Sequence, residues 1–143
     1  MFGFFNNKVF DKGYLPEFEG HEIYYQQMGN PKGEPVLFFH GGPGGSFKAS
    51  HGNYFNLKKQ RVIMFDQRGC GRSKTEDIIS LNDTKRLVKD ANRLLEYLNI
   101  CEPVTVAGGS WGSTLALLFA EKYPERIARI CLYAVFLARR EDM

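Results

Sequence analysis

Gly108-Gly109-Ser110-Trp111-Gly112 has the form G-x-S-x-G, a spacing that sets a serine hydroxyl on a tight strand-to-helix turn. In the strained backbone of such a turn, side chains two residues to either side of the serine collide, so glycine is needed at 108 and 112. The helix that follows turns its positive end toward the site and favours a developing oxyanion. Ser110 is therefore the candidate nucleophile for acyl transfer. A tetrahedral intermediate also needs two backbone N–H donors on its oxygen. Trp111, directly after the serine, is placed to give one.

The second donor falls to His40-Gly41-Gly42-Pro43-Gly44-Gly45. Gly42 is the best-placed residue there, because glycine lets the backbone come close to a substrate. His40 and Gly41 are expected to support that loop. A phosphate-binding loop is the rival reading, but a Walker loop needs G-K-[ST], and Gly45-Ser46-Phe47-Lys48 stands here instead. His40 is not the expected general base, since in folds built around this elbow the base follows the serine and the acid in chain order. His21 and His51 are expected at the surface or in loops. Asp66 and Arg68 open a third glycine loop, Asp66-Gln67-Arg68-Gly69-Cys70-Gly71-Arg72-Ser73, and are expected to fix it through ion pairs or hydrogen bonds.

Something must hold these loops together. Val36-Leu37-Phe38-Phe39 and Val62-Ile63-Met64-Phe65 are short continuous apolar runs, as in strands buried on both faces. Each runs into a glycine loop. Pro103 to Ala107 reads as a third such strand, ahead of the elbow, and Arg129 to Tyr133 as a fourth. Residues 21–28 are β-prone. Leu87, Val88, Ala91, Leu94, Leu95 and Leu98 fall at helical spacing, with Asn82 or Asp83 to cap the start. A second helix is expected over Ser113–Lys122, ending before Pro124. Alternating strands and helices predict an α/β fold with a mostly parallel sheet and flanking helices. The working loops of such a sheet lie at the carboxyl ends of its strands.

The three loops, in this order and at this spacing, resemble the prolyl aminopeptidases, or proline iminopeptidases, a family of α/β-hydrolases. The narrowest match is DQRGCGRS beside GGSWGS. Gly13-Tyr14-Leu15 and His21 to Pro31 are similar to the family's N-terminal hairpin. The resemblance implies an enzyme that releases N-terminal proline from peptides through an acyl-enzyme. It implies Ser110 as nucleophile, Gly42 and Trp111 as oxyanion donors, and no metal or organic cofactor. Family members are longer, with the triad acid, the triad histidine and the helical cap beyond the point where this chain stops. Residues 1–143 thus read as the N-terminal part of a single α/β-hydrolase domain, truncated before the cap and the last strands. All three histidines precede Ser110. A serine without its base is a weak nucleophile, so the chain alone is expected to be nearly inactive. Its last strand is expected to leave an apolar open edge prone to self-association.

Two other readings stand beside this one: an esterase on the same fold, since the cap that sets specificity is not seen, and a non-catalytic remnant or binding module. Composition narrows the remaining field. A net charge of +3, spread thinly, gives no basic stripe for nucleic acid. Cys70, Cys101 and Cys131 are odd in number and widely spaced, which argues against a disulfide framework or a CxxC metal site. A reducing, cytoplasmic location is expected, with no signal peptide in MFGFFNNKVF and no membrane span.

Overall fold

The four apolar runs become neighbours in one sheet, and their register decides where the loops go. The computed structural model describes residues 8–142, so residues 1–7 of the segment read for a signal peptide lie outside the described residues. The strands are β1 (Val9–Tyr14), β2 (His21–Glu22), β3 (Tyr24–Gly29), β4 (Glu34–Phe39), β5 (Gln60–Phe65), β6 (Lys74–Thr75), β7 (Val104–Ser110) and β8 (Ile127–Val135). The helices are α1 (Thr84–Tyr97) and α2 (Trp111–Lys122). Six strands form one sheet in the order β1-β3-β5-β4-β7-β8, and β2 pairs with β6 in a small second sheet.

Strands β5, β4, β7 and β8 run parallel, while β1 and β3 add an antiparallel flank. Phe38 of β4 pairs with Met64 of β5, and Phe39 of β4 pairs with Gly108 of β7. Parallel strands in this register end side by side. The loops opened by His40, Asp66 and Ser110 therefore emerge together at the carboxyl edge.

Alternate residues of β4 and β5 feed two cores, as the period of a strand requires. Leu37, Phe39, Ile63 and Phe65 face both helices, meeting Leu87, Ala91, Leu94 and Leu95 of α1 and Leu115, Ala116 and Phe119 of α2. Val36, Phe38, Val62 and Met64 face Phe47, Phe55 and Leu57 on the other side. Asp83 caps α1, its carboxylate accepting the Arg86 N–H at 2.9 Å. Asn82 instead donates to the carbonyls of Arg68 and Ile78.

The β-prone stretch 21–28 is two strands rather than one. It breaks at Ile23, whose carbonyl accepts the Leu15 N–H, while the Tyr24 N–H turns to Ser73 Oγ. His21 is not at the surface: it is 2% exposed and donates through Nε2 to the Ser80 carbonyl. Helix α2 starts at Trp111, two residues earlier than its periodicity indicates, because β7 runs without a linker into Ser110. β8 lies at the sheet edge and exposes Ile130, Tyr133 and Val135. All three cysteines are free, Cys70 buried and the others exposed. Among the described residues, no helix is long and apolar enough to cross a membrane.

Candidate active site

Ser110 closes β7 and precedes the first residue of α2, with φ 54° and ψ −126°. That left-handed backbone is rare for a residue with a side chain and is found where the surroundings enforce it. Two glycines make the turn feasible. A Cβ on Gly112 would lie 2.1 Å from the Phe39 carbonyl oxygen, and one on Gly108 would lie 2.4 Å from the Gly112 oxygen. A serine at a helix N-terminus usually gives its oxygen to the free backbone N–H groups. The Ser110 side chain makes no such cap, and the residue is exposed, so the hydroxyl is open to a substrate.

The His40 loop crosses directly beside it. A Cβ on Gly41 would come within 3.6 Å of Ser110 Cβ. Gly42, next in the chain, has φ 141°, and a Cβ there would meet the backbone nitrogens of Gly44 and Gly45 at 2.7 and 2.8 Å. The loop thus folds back on itself in a form that admits only glycine at 42. Gly41, Gly42, Ser110 and Trp111 are brought to one place.

His40 is fully buried and holds the loop. The Gln67 backbone N–H donates to His40 Nε2 at 3.0 Å, so that nitrogen is bare and the proton sits on Nδ1. Nδ1 in turn donates to the Gly41 carbonyl at 2.7 Å. Burial pushes the His40 pKa below its ordinary value, outweighing the Gly41 carbonyl and Asp66, which favour the charged form. With Nε2 accepting from Gln67 and Nδ1 donating to Gly41, both ring nitrogens of His40 are committed to the loop. His51 Nδ1 accepts the Lys48 N–H. None of the three histidines is hydrogen-bonded to Ser110 among the described residues.

The third loop locks the other two. Asp66 Oδ1 accepts the Phe47 N–H at 3.0 Å, and Oδ2 accepts the Arg72 N–H and Nε–H, each at 2.9 Å. The Arg72 guanidinium lies 4.7 Å from the Tyr24 ring centre and 4.1 Å from that of Phe47. Arg68 grips both carboxylate oxygens of Asp90 on α1, at 2.6 and 3.0 Å, and also bonds Glu19 at 2.7 Å. Both residues fix the loop, in agreement with their sequence reading. Burial, the leading influence there, raises the Cys70 thiol pKa and so favours the protonated thiol. Among the described residues, no three His, Cys, Asp or Glu side chains converge as metal ligands would.

Three further residues belong to the site. Gln67 donates to the His40 carbonyl and accepts the Trp111 indole N–H at 3.2 Å, joining all three loops. Ser113 donates to the Ser110 carbonyl at 2.6 Å and accepts the Phe136 N–H at 2.9 Å. Gly109 lies under the Tyr133 ring. The signal for Ser113 in the sequence is a polar residue in the first turn of α2, ahead of the apolar run Leu115–Ala120. Gln67 and Gly109 carry no such mark, because their roles depend on neighbours distant in sequence, His40 and Trp111 for Gln67 and Tyr133 for Gly109.

A mostly parallel sheet with a strained serine at the strand-to-helix turn and two glycine loops beside it defines an α/β-hydrolase. A sequence model of the α/β-hydrolase fold matches residues 34–139, and the chain belongs to that family. Within it, the chain is similar to proline iminopeptidases. It is 44% identical over 133 residues to the proline iminopeptidase of Neisseria meningitidis, covering 93% of this chain and 43% of that protein. It is 40% identical over 134 residues to that of Arabidopsis thaliana, covering 94% of this chain and 35% of the other. The chain thus spans less than half the length of these relatives. Among solved structures it resembles a proline iminopeptidase-related protein of Thermus thermophilus, with a TM-score of 0.74 and 32% identity over 85% of this chain and 43% of that one. A thioesterase domain from the curacin biosynthetic pathway also has a TM-score of 0.74, at 25% identity over 85% of this chain and 45% of that one.

Proposed function

We propose that this chain carries the nucleophile and oxyanion hole of a serine aminopeptidase that releases N-terminal proline from peptides. Residues 1–143 form the N-terminal part of a single catalytic domain in this reading. Ser110 Oγ attacks the carbonyl of the N-terminal residue, giving up its proton to a base from the rest of the domain; that proton goes to the peptide nitrogen as the C–N bond breaks, and the shortened peptide leaves as the amine. The N–H groups of Gly42 and Trp111 receive the developing oxyanion, and water then hydrolyses the acyl-enzyme. The reaction needs no metal or organic cofactor, and the protein works in the cytoplasm. The observation that carries this reading is the uncapped, exposed Ser110 in a left-handed turn beside Gly41 and Gly42. Similarity to proline iminopeptidases supports the choice of substrate.

No histidine or carboxylate is hydrogen-bonded to Ser110 among the described residues, so the 143 residues alone should turn over prolyl substrates close to background. The test joins residues 1–139 to the remainder of the Neisseria meningitidis relative. The chimera should hydrolyse L-proline p-nitroanilide, and Ser110→Ala should abolish this. Turnover that survives Ser110→Ala rejects the nucleophile. Hydrolysis of short-chain esters without prolyl arylamides would favour an esterase, the second reading, which draws on the likeness to a thioesterase domain.

A further inference from the structure

Gln67 belongs to neither of the elements that carry the two N–H donors, yet its side chain bonds to both. It follows β5, while Gly42 lies in the loop after β4 and Trp111 opens α2 after β7. In the sheet β4 stands between β5 and β7. The Gln67 side chain therefore crosses the end of β4 to meet the elbow. Its Nε2 donates to the His40 carbonyl at 2.9 Å, and its Oε1 accepts the Trp111 indole N–H at 3.2 Å. A carbonyl only accepts and an indole N–H only donates, so the amide has one workable orientation. Gln67 is 2% exposed, so bulk solvent does not replace a bond lost there.

Both partners lead directly to an oxyanion donor. His40 opens the loop that carries Gly42, and its ring holds the Gly41 carbonyl. The His40 carbonyl also sits against the elbow, 2.9 Å from where a Cβ on Gly112 would lie. Trp111 carries the other donor on its own backbone, at the first position of α2, where no helical carbonyl lies behind it. Two hydrogen bonds tie Gln67 to the root of one donor and a third ties it to the residue that bears the other.

We propose that Gln67 is a positioning residue of the oxyanion hole: its side-chain amide sets the separation of the Gly42 and Trp111 N–H groups without touching the substrate. This rests on the reading of Ser110 as nucleophile given above. Donors already in place stabilise charge as it develops, so a shift in their separation weakens the transition state more than the bound substrate. Glutamate at 67 would set an acceptor against the His40 carbonyl, and methionine, of similar length, would offer no amide to either partner.

The test uses the chimera described above. Gln67→Met should lower kcat on L-proline p-nitroanilide by about tenfold to a hundredfold with KM unchanged. Pyrrolidine-2-boronic acid takes up Ser110 Oγ at boron to form a tetrahedral anion, the serine proton passing to the base. Its affinity should fall by the same factor as kcat, while that of the product L-proline stays as in the wild type. Gln67→Glu should behave like Gln67→Met. Trp111→Phe keeps the backbone N–H and removes the indole bond; it should lower kcat about tenfold, and Gln67→Met should then cost less than it does alone. Trp111→Phe carries the test, by the same kcat and boronate readings, if Gln67→Met fails to fold by circular dichroism. The proposal is overturned if a folded Gln67→Met keeps its kcat and boronate affinity, or loses L-proline affinity equally. It is also overturned if Gln67→Glu retains full turnover, if the two losses multiply in the double variant, or if Trp111→Phe, serving alone, changes neither reading. Turnover abolished by Ser110→Ala and untouched by Gln67→Met leaves the aminopeptidase reading standing and removes this role. A chimera that ignores prolyl arylamide but hydrolyses p-nitrophenyl acetate, with the same loss in Gln67→Met, supports the role while removing the aminopeptidase reading.

Discussion

Gln67 holds His40 by two hydrogen bonds, its backbone N–H donating to Nε2 at 3.0 Å and its side-chain amide to the His40 carbonyl at 2.9 Å. The first bond works only while Nε2 is bare. Protonating His40 therefore breaks it and leaves a charge in a site with no exposure.

A pH dependence follows from this. Burial depresses the His40 pKa, and burial followed by the Lys48 charge depresses that of His51. An unfolded histidine takes its proton near 6.5. Below that pH the unfolded chain binds protons the native chain refuses, so stability falls as pH drops through about 6.5 and is fully present above about 7. Glu19, Asp77 and Asp83 are held below their ordinary values, chiefly by hydrogen bonds from Arg68, the Ile79 N–H and the Arg86 N–H. Their contribution fades only in more acid solution, below about pH 4.5, which leaves the histidine window clear. Urea unfolding between pH 5 and 7.5 should show the loss, and His51→Gln should remove no more than part of it. A flat profile would mean that His40 titrates alike in both states.

Two glycines of the elbow should respond differently to a methyl group. On Gly112 it would lie 2.1 Å from the Phe39 carbonyl oxygen, which is backbone in the central strand. Gly112→Ala should destabilise by about 3 kcal/mol or more, or prevent folding, and no single second change should relieve it. On Gly109 the methyl would meet a half-exposed ring, that of Tyr133. Gly109→Ala should be destabilising by roughly 1–2 kcal/mol in the wild type and close to neutral with Tyr133→Ala. A double-mutant cycle by urea denaturation measures the difference. Equal losses in both backgrounds would show that Gly109 is needed for its backbone rather than for room.

That contrast also marks how far the sequence could be read. Gly108 and Gly112 were legible because a motif five residues long contains its own steric reason. The parallel sheet was legible because Val36–Phe39 and Val62–Phe65 are apolar at every position, as strands covered on both faces must be. Gly109 was not, since its collision is with Tyr133, aimed by a bulge at Ala134 that no local pattern announces. His21 was misplaced for a similar reason. A polar residue in a β-prone stretch suggests exposure, yet Ser80, distant in sequence, gives it a buried partner. Long-range pairings of this sort carry little signal in one chain.

Arg68 should be the most sensitive charged residue. Its guanidinium is buried and bonds Asp90, itself 1% exposed, through two oxygens. Arg68→Met leaves that carboxylate with Arg93 as its charged partner. Removing one member of a buried pair destabilises by about 3–5 kcal/mol, mostly from the charge left behind. Asp90→Leu in the Arg68→Met background should recover much of this, and added salt should change little, because the pair is shielded from solvent. Recovery absent from the double variant would place the role of Arg68 in its bonds to Leu81 and Glu19 instead.

Ser110 should stabilise the chain when it is removed. Its φ of 54° and ψ of −126° suit glycine, and the side chain makes no capping bond that substitution would lose. Holding an L-residue in that region costs of order 1–3 kcal/mol, offset in glycine by the greater freedom of its unfolded chain. Ser110→Gly should therefore raise stability by about 1 kcal/mol, seen as a higher urea midpoint at unchanged slope. In the chimera that tests hydrolysis, the same substitution should abolish turnover of L-proline p-nitroanilide. Gain of stability with loss of activity at one residue is what a strained nucleophile predicts. Ser110→Ala provides the control, since it removes the hydroxyl and keeps the strain: activity should be lost with stability near that of the wild type. If Ser110→Gly is no more stable than Ser110→Ala, the turn is not strained, and the left-handed serine is merely tolerated there.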